Sequence, residues 1–289
     1  MIYADGYLTT LDAVKRLLKL TTTNTIDDEL VEIQIAAATD LITAFCGRSF
    51  VPYRETKLFD ARGEHIVDDH RTLLLRDDLL AVHTLTNGDG TAVLSSKYAL
   101  SSGSPKWSVE LLPSTGLTWA YTTDWQKAIS IVGTWGYHED YNSAWVSSGD
   151  AIKDTGGINA SVQTISVTDA DGKDARYRTR FQVGHILKIE DEYLRVVAVT
   201  ASTTNTLTVL RGQLGTTAAL HAKDTVIASY APMRNIEQAC LSLTTWLYRY
   251  APTAGAPIQV LYDGTKQIQS DLPKFIEDAL KPYQRARVS

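Results

Sequence analysis

The sequence predicts an α+β protein, with helices at its two ends and antiparallel strands between them. Two observations carry this reading. Helical periodicity is confined to residues 10–46 and to the stretch after Pro232. The long middle is rich in Thr, Val, Ser, Gly and aromatic residues, with tight-turn signals but no sustained helical period. Such a chain folds only if its distant ends come together, which suits an architectural part better than an enzyme.

The first helix starts at Thr9 or Thr10, where Thr9 accepts from an early amide and Asp12 returns the bond. Val14, Leu17 and Leu18 mark one face. The polar run Thr21–Asn24 ends it, and Thr25 with Asp28 repeats the capping arrangement. Asp27, Asp28 and Glu29 suit the positive end of a second helix dipole. That second helix is the strongest signal in the chain. Leu30, Ile33, Ala37, Leu41 and Phe45 recur every three or four residues and form its expected apolar face. Ala36–Ala38 permit close approach of another helix, and Gly47 supplies the stop.

From Thr56 to Val132 the pattern is antiparallel strands. Leu73–Leu75 begins one, Arg76–Asp78 turns it, and Val82–Leu85 continues; Asn87-Gly88-Asp89-Gly90 is a tight turn. Trp107, Val109 and Leu111 alternate, and Ala128–Val132 does so in part. Residues 142–160 read as a linker, with Ser147-Ser148-Gly149 and Thr155-Gly156-Gly157 close together. A second β region follows, with strands at Val162–Val167, Ile186–Ile189, Tyr193–Val199 and Thr206–Val209 and an acidic turn at Glu190–Glu192. Its charges balance, which fits a small barrel-like or sandwich-like all-β domain better than a nucleic-acid channel. Pro232 then opens a third helix with an apolar stripe of Ile236, Ala239 or Cys240, Leu243, Leu247 and Tyr250, stopped by Pro252. A fourth, capped by Ser270 or Asp271, spans Leu272–Leu280, and Lys281, Arg285 and Arg287 give the last nine residues a basic tail.

At 289 residues, 44 % hydrophobic and 21 % charged, the chain is of ordinary globular composition and supports one large or two medium domains. A formal net charge of −5 argues against general nucleic-acid coating. The two cysteines, Cys46 and Cys240, lack metal spacing and read as reduced buried thiols. The N-terminus lacks a signal-peptide pattern and no apolar run reaches the roughly eighteen residues of a membrane span, so a soluble protein with no membrane partner is expected.

Catalytic and metal-binding patterns are missing. The six histidines are scattered; His65 and His70 lie near Asp68 and Asp69, but in what reads as a surface turn. Gly212 and Gly215 with Thr216-Thr217 hint at phosphate cradling, yet they follow a strand and lack the helix and lysine such loops use. Nothing brings Glu110 and Asp124 together as an acid–base pair. The carboxylates of the second helix do not converge as metal ligands. No enzyme, cofactor or metal site is expected.

The helical start resembles the head–tail connector, or adaptor, family of tailed bacteriophages. The likeness lies in Tyr7-Leu8-Thr9 with Leu11–Lys15, in Asp27–Leu30, in Ile35–Ala38, and in Phe45-Cys46-Gly47-Arg48-Ser49-Phe50. Ile131–Tyr137 resembles the family strand that leads into the next core helix, here Ile236–Ala239 with Tyr248-Arg249. The resemblance implies a helical bundle core with its β region over residues 1–141 and 231–289, interrupted by an inserted all-β domain at 142–230. Within the insert, Val209–Thr217 followed by His221 resembles a small β module recurrent in phage structural proteins.

The resemblance also implies a noncatalytic neck protein, made in the host cytoplasm and built into the virion. It would form a homo-oligomeric ring, typically a dodecamer, below the portal protein and above a downstream neck, stopper or tail protein, close to packaged DNA without reading its sequence. Portal docking would fall to Lys281, Tyr283, Arg285 and Arg287. Asp27, Asp28 and Glu32, if facing the bore, would repel phosphate. The alternative reading is a virion module in which residues 160–230 bind a carbohydrate or partner protein, with Trp107, Trp119, Trp125, Trp135 and Trp145 as aromatic candidates.

Overall fold

The structure is a computed structural model that describes residues 6–21, 25–201, 204–250, 258–260, 266–268 and 272–285. Most of the expected turn before the second helix, the stop at Pro252, the cap at Ser270 or Asp271, and Arg287 lie outside the described residues.

The first helix, α1, spans Leu11–Leu18. Its cap is Thr10, not Thr9: extended backbone at Thr10 aims its hydroxyl oxygen at the Ala13 amide. The second, α2, spans Asp28–Cys46 and stops at Gly47, whose φ of 66° is the left-handed conformation expected there.

An antiparallel sheet follows, built from β1 (Tyr53–Phe59), β2 (Ile66–Val67), β3 (Thr72–Thr86), β4 (Tyr98–Leu100), β5 (Lys106–Leu111) and β6 (Ile129–Trp135). The strand order is β1-β6-β3-β5-β4, with β2 on β3. The turn expected at Arg76–Asp78 is absent; β3 continues through it as one strand, with a register irregularity against β5 between Leu74 and Leu79. The charges sit in mid-strand because each has a partner: Lys57 on Asp77 at 2.6 Å, Arg48 on Asp78 at 3.5 Å, and Glu64 on Arg76. Leu73, Leu79, Val109, Leu111, Ile129, Ile131 and Trp135 form the core of this sheet, and the Trp135 indole donates to Glu55 O. Trp107 does not join them. Alternation slips at Ser108–Val109, both buried, and leaves Trp107 60 % exposed.

The second sheet comprises β7 (Trp145–Ala151), β8 (Thr164–Ser166), β9 (Ile186–Ile189), β10 (Glu192–Thr200), β11 (Thr206–Leu210) and β12 (Val226–Tyr230). Its order, β7-β12-β9-β10-β11-β8, is an open path, and no closed barrel is seen among the described residues. A strand, β7, lies where a linker was expected. Val146, Ser148 and Asp150 point inward, and two of those three are polar, so the two-residue period carried no hydrophobic signal. Both are satisfied: the Ser148 hydroxyl donates to Ile227 O, and Asp150 accepts from the amides of Ala151, Thr168 and Asp169. Burial works against the Asp150 charge, but these amides outweigh it and hold the carboxyl below its ordinary value.

Helix α3 spans Arg234–Tyr250, the pair β13 (Ile258–Val260) and β14 (Lys266–Ile268) forms a two-stranded antiparallel ladder, and α4 spans Lys274–Leu280. Pro232 precedes α3 by two residues instead of occupying its first turn. Leu11 and Val14 of α1 pack with Val31 and Ile35 of α2, against Leu241 and Tyr248 of α3 and against Val183. Cys46 and Cys240 are free and buried, and burial pushes the Cys240 thiol up to about 12.

The chain divides into two compact units, one of Met1–Gly47, Val146–Gln213 and Ala218–Ser289, the other of Arg48–Trp145 and Leu214–Thr217. The helices thus share a unit with the second sheet, a grouping that differs from the division 1–141 with 231–289 and 142–230. Within the smaller unit, Arg54 N donates to Leu214 O, and Gly215 has φ +77° with its Cα against Arg54 O. A Cβ there would lie 2.0 Å from that oxygen. Gly215→Ala is therefore expected to cost about 2 kcal/mol or more, from strain plus a backbone clash, measured as a lower urea midpoint.

Candidate assembly surface and the buried motif of the second sheet

Helix α2 has two apolar faces. Val31, Ile35, Ala38, Ile42 and Cys46 are fully buried, 1 % exposed or less. Sequence periodicity picked out the other face, and there Leu30, Ile33 and Leu41 are 39, 56 and 41 % exposed, with Ile26 just before the helix at 87 %. The expected core stripe is the outward one. At 3.6 residues per turn, Ile26, Leu30, Ile33, Ala37 and Leu41 form one ridge, and Glu29 and Asp40 run along its side. The nineteen residues of α2 include four acids and no lysine or arginine.

The three carboxylates singled out as channel-facing all have partners within the chain. Asp28 receives Lys15 Nζ at 2.6 Å, and Lys15 itself is only 2 % exposed, so this pair ties α1 to the start of α2. Asp27 accepts from the Tyr248 hydroxyl at 3.0 Å. Glu32 is partly buried, which raises its carboxyl above the ordinary value although Arg195 opposes the shift.

At the C-terminal end, Tyr283 is 8 % exposed and its hydroxyl accepts from Asn235 Nδ2. Lys281 pairs with Asp278 at 2.8 Å, and the Arg285 amide donates to Cys46 O. The residues proposed for docking from sequence are thus held against the protein's own helices as far as Arg285, with Tyr283 as the anchor.

The motif Arg211-Gly212 … His221 turns out to encircle a buried carboxylate, Glu192, at the start of β10. Arg211 grips it with two parallel bonds of 2.7 Å, and its remaining donors reach the carbonyls of Asn159, Val162 and Ala219. The amides of Gly212 and Ala219 also donate to Glu192, and His221 sets Nε2 on Glu192 and Nδ1 on Glu190 at 2.8 and 2.7 Å. Burial opposes the Glu192 charge; Arg211 and the other donors outweigh it and hold the carboxyl below its ordinary value. Of the amides in the suggested phosphate cradle, that of Gly212 is taken by this internal carboxylate. Reading Glu190–Glu192 as a plain acidic turn hid it.

The remaining candidates do not converge. His65 lies 3.7 Å from Glu64, while Asp68, Asp69 and His70 form a turn with consecutive positive φ. His83 meets the Thr134 hydroxyl at 2.8 Å. Among the described residues no hydrogen bond joins Glu110 to Asp124, and no group of three or more His, Cys, Asp or Glu is arranged to hold a metal. No helix is long and apolar enough to cross a membrane. Trp119 and Trp135 are core residues, Trp125 and Trp145 are half-buried, and none of the five candidate tryptophans lies within 160–230.

The arrangement is a helical pair joined by Lys15–Asp28 with an apolar ridge turned outward. Residues 8–72 match the family described as phage gp6-like head-tail connector protein. The match covers α1, α2, β1 and β2, the first part of the region whose sequence resembles that family; the likeness at Ile131–Tyr137 and in α3 lies outside it. No curated protein matches the chain.

Proposed function

We propose that this protein is a noncatalytic head–tail connector of a tailed bacteriophage. It forms a ring, of twelve copies as is typical of the family, below the portal, completes the DNA-filled head, and continues the exit channel toward a stopper or tail protein. The observation that carries the reading is the outer ridge of α2, which lies inside the matched residues 8–72 and exposes Leu30, Ile33 and Leu41 along a regular helix face. Ridges of this kind mark association surfaces, and ring closure lets each copy bury the same contact. Asp27, Asp28 and Glu32 lie at the start of α2, Asp28 already paired with Lys15, and would discourage DNA from sticking if turned to the bore. Residues 142–230 act as a module added to the connector core.

Portal docking is assigned to the C-terminal tail, with Tyr283 anchoring it and Arg285 and Arg287 making the contact, since Arg is suited to bidentate bonds with carboxylates. Arg285→Ala combined with Arg287→Ala keeps the Tyr283 anchor and the Arg285 amide bond to Cys46 O and removes both guanidinium groups. It is expected to leave the folded protein unchanged and to abolish capture by immobilised portal protein. Undiminished capture would remove the tail from the docking site.

A further inference from the structure

A narrow pocket in the unit of the helices and the second sheet collects polar atoms that the chain leaves without partners. It is lined by the segment Tyr7–Thr10, by Gly184–Ile186 at the start of β9, and by Pro232 and Glu237 at the start of α3. Thr9 is 3 % exposed, and its hydroxyl has no hydrogen-bond partner. His185 Nδ1 is also buried without one. Burial, aided by Arg178, keeps this imidazole neutral by lowering it to about 4, and the Arg180 backbone accepts from the ring. The unpartnered Nδ1 is thereby left as the acceptor nitrogen. Glu237 is partly buried in the first turn of α3, and among the described residues no hydrogen bond or ion pair reaches its carboxylate. Burial raises that carboxyl above its ordinary value, against the opposing charges of Arg178 and Arg234.

We infer that this pocket binds a primary ammonium group, carried by a small amine or by a lysine side chain of a neighbouring protein. A primary ammonium has three N–H donors and no acceptor. The pocket offers three acceptors without partners: the Thr9 hydroxyl, His185 Nδ1 and the Glu237 carboxylate. Each is costly to keep buried with its bond unmade. An anion would meet like charge at Glu237 and a lone pair at His185. The start of α3 does not help an anion either, since Pro232 has no N–H to donate. Arg178 also lines the pocket, but its guanidinium is held on the Asp174 carboxylate at 3.2 Å. Arg234 is exposed to solvent, and Arg195, over the Tyr7 ring at 5.0 Å, has Glu32 as its opposite charge. A divalent metal is a poorer match, because no three His, Cys, Asp or Glu side chains are arranged to hold one among the described residues.

Thermal unfolding of the full-length protein tests this, with methylammonium chloride as the probe. Tetramethylammonium chloride, which has no N–H, serves as the control at equal ionic strength. Methylammonium has two heavy atoms, so its dissociation constant is expected to be on the order of 10 mM. At about 100 mM it should raise the unfolding midpoint by about 2–4 °C over the control, and the rise should saturate. Thr9→Val removes only the unpartnered hydroxyl, and Glu237→Gln removes only the charge. Both are expected to unfold cooperatively, with the rise reduced severalfold in the first and lost in the second. A rise no larger than that with tetramethylammonium, or one undiminished in Glu237→Gln, overturns the inference. Self-association and portal capture, measured with the same probe, separate the two sources. If a neighbouring protein's lysine fills the pocket, methylammonium at about 100 mM weakens one of them about tenfold, and Glu237→Gln does so without it. If a free amine fills the pocket, neither changes.

Discussion

Replacing Arg211 with alanine is expected to lower the stability of the second β region by about 3–5 kcal/mol, the cost of leaving a buried carboxylate without its cation. Glu192 is 1 % exposed and would lose two charge-assisted bonds, while the carbonyls of Asn159, Val162 and Ala219 would lose a shared donor. Arg211→Lys recovers only part of this, because an ammonium cannot span both Glu192 oxygens and three carbonyls together. Hydrogen exchange localises the effect: amides of β10 and β11 should lose protection first. Unchanged protection there would show that the motif contributes nothing to the fold.

The same carboxylate makes the region acid-sensitive. The folded pKa of Glu192 lies below its ordinary value of 4.5, and that of Asp150 below 3.8. A group depressed in the folded state contributes stability above its unfolded pKa and loses it as pH falls through the folded value. His185 has the same sign: burial, aided by Arg178, lowers it from 6.5 to about 4, so the unfolded chain takes up that proton first. Melting temperature is therefore expected to fall from about pH 6.5 downward and to fall more steeply below about pH 4.5. In Glu192→Gln the lower limb should be shallower.

The second large effect separates the two faces of α2. Ile33→Asp on the outer ridge is expected to abolish self-association while moving monomer stability by no more than about 0.5 kcal/mol. Two residues on, Ile35→Ala should do the reverse, costing about 2–5 kcal/mol through a cavity between α1, α2 and α3. Light scattering and urea unfolding of the two variants read both quantities. Equal effects at the two positions would mean that the outer face is only a second core face.

That contrast also marks how far the sequence could be read. The existence of α2, its length and its Gly47 stop follow from periodicity and capping chemistry. Its orientation does not, because a helix apolar on both faces offers two stripes, and the stronger pattern was the exposed one. Strand β7 was hidden because Ser148 and Asp150 fill inward positions usually held by aliphatic residues. β3 was split at Arg76–Asp78 because an irregular stretch of the strand carries charges there, each paired with a residue distant in sequence: Glu64, Lys57 and Arg48. The likeness around Val209–Thr217 and His221 was visible, but its purpose was not, since Glu192 lies far from Arg211 in sequence and nothing local links them.

The central claim is that this chain closes into a ring on a portal through the outer ridge of α2. Cryo-electron microscopy of the full-length protein bound to the portal of its phage tests it most directly. A closed ring of copies is expected, with Leu30, Ile33 and Leu41 buried between neighbours and the C-terminal tail on the portal. Separate monomers on the portal, or a ring that leaves those three residues in solvent, would contradict it.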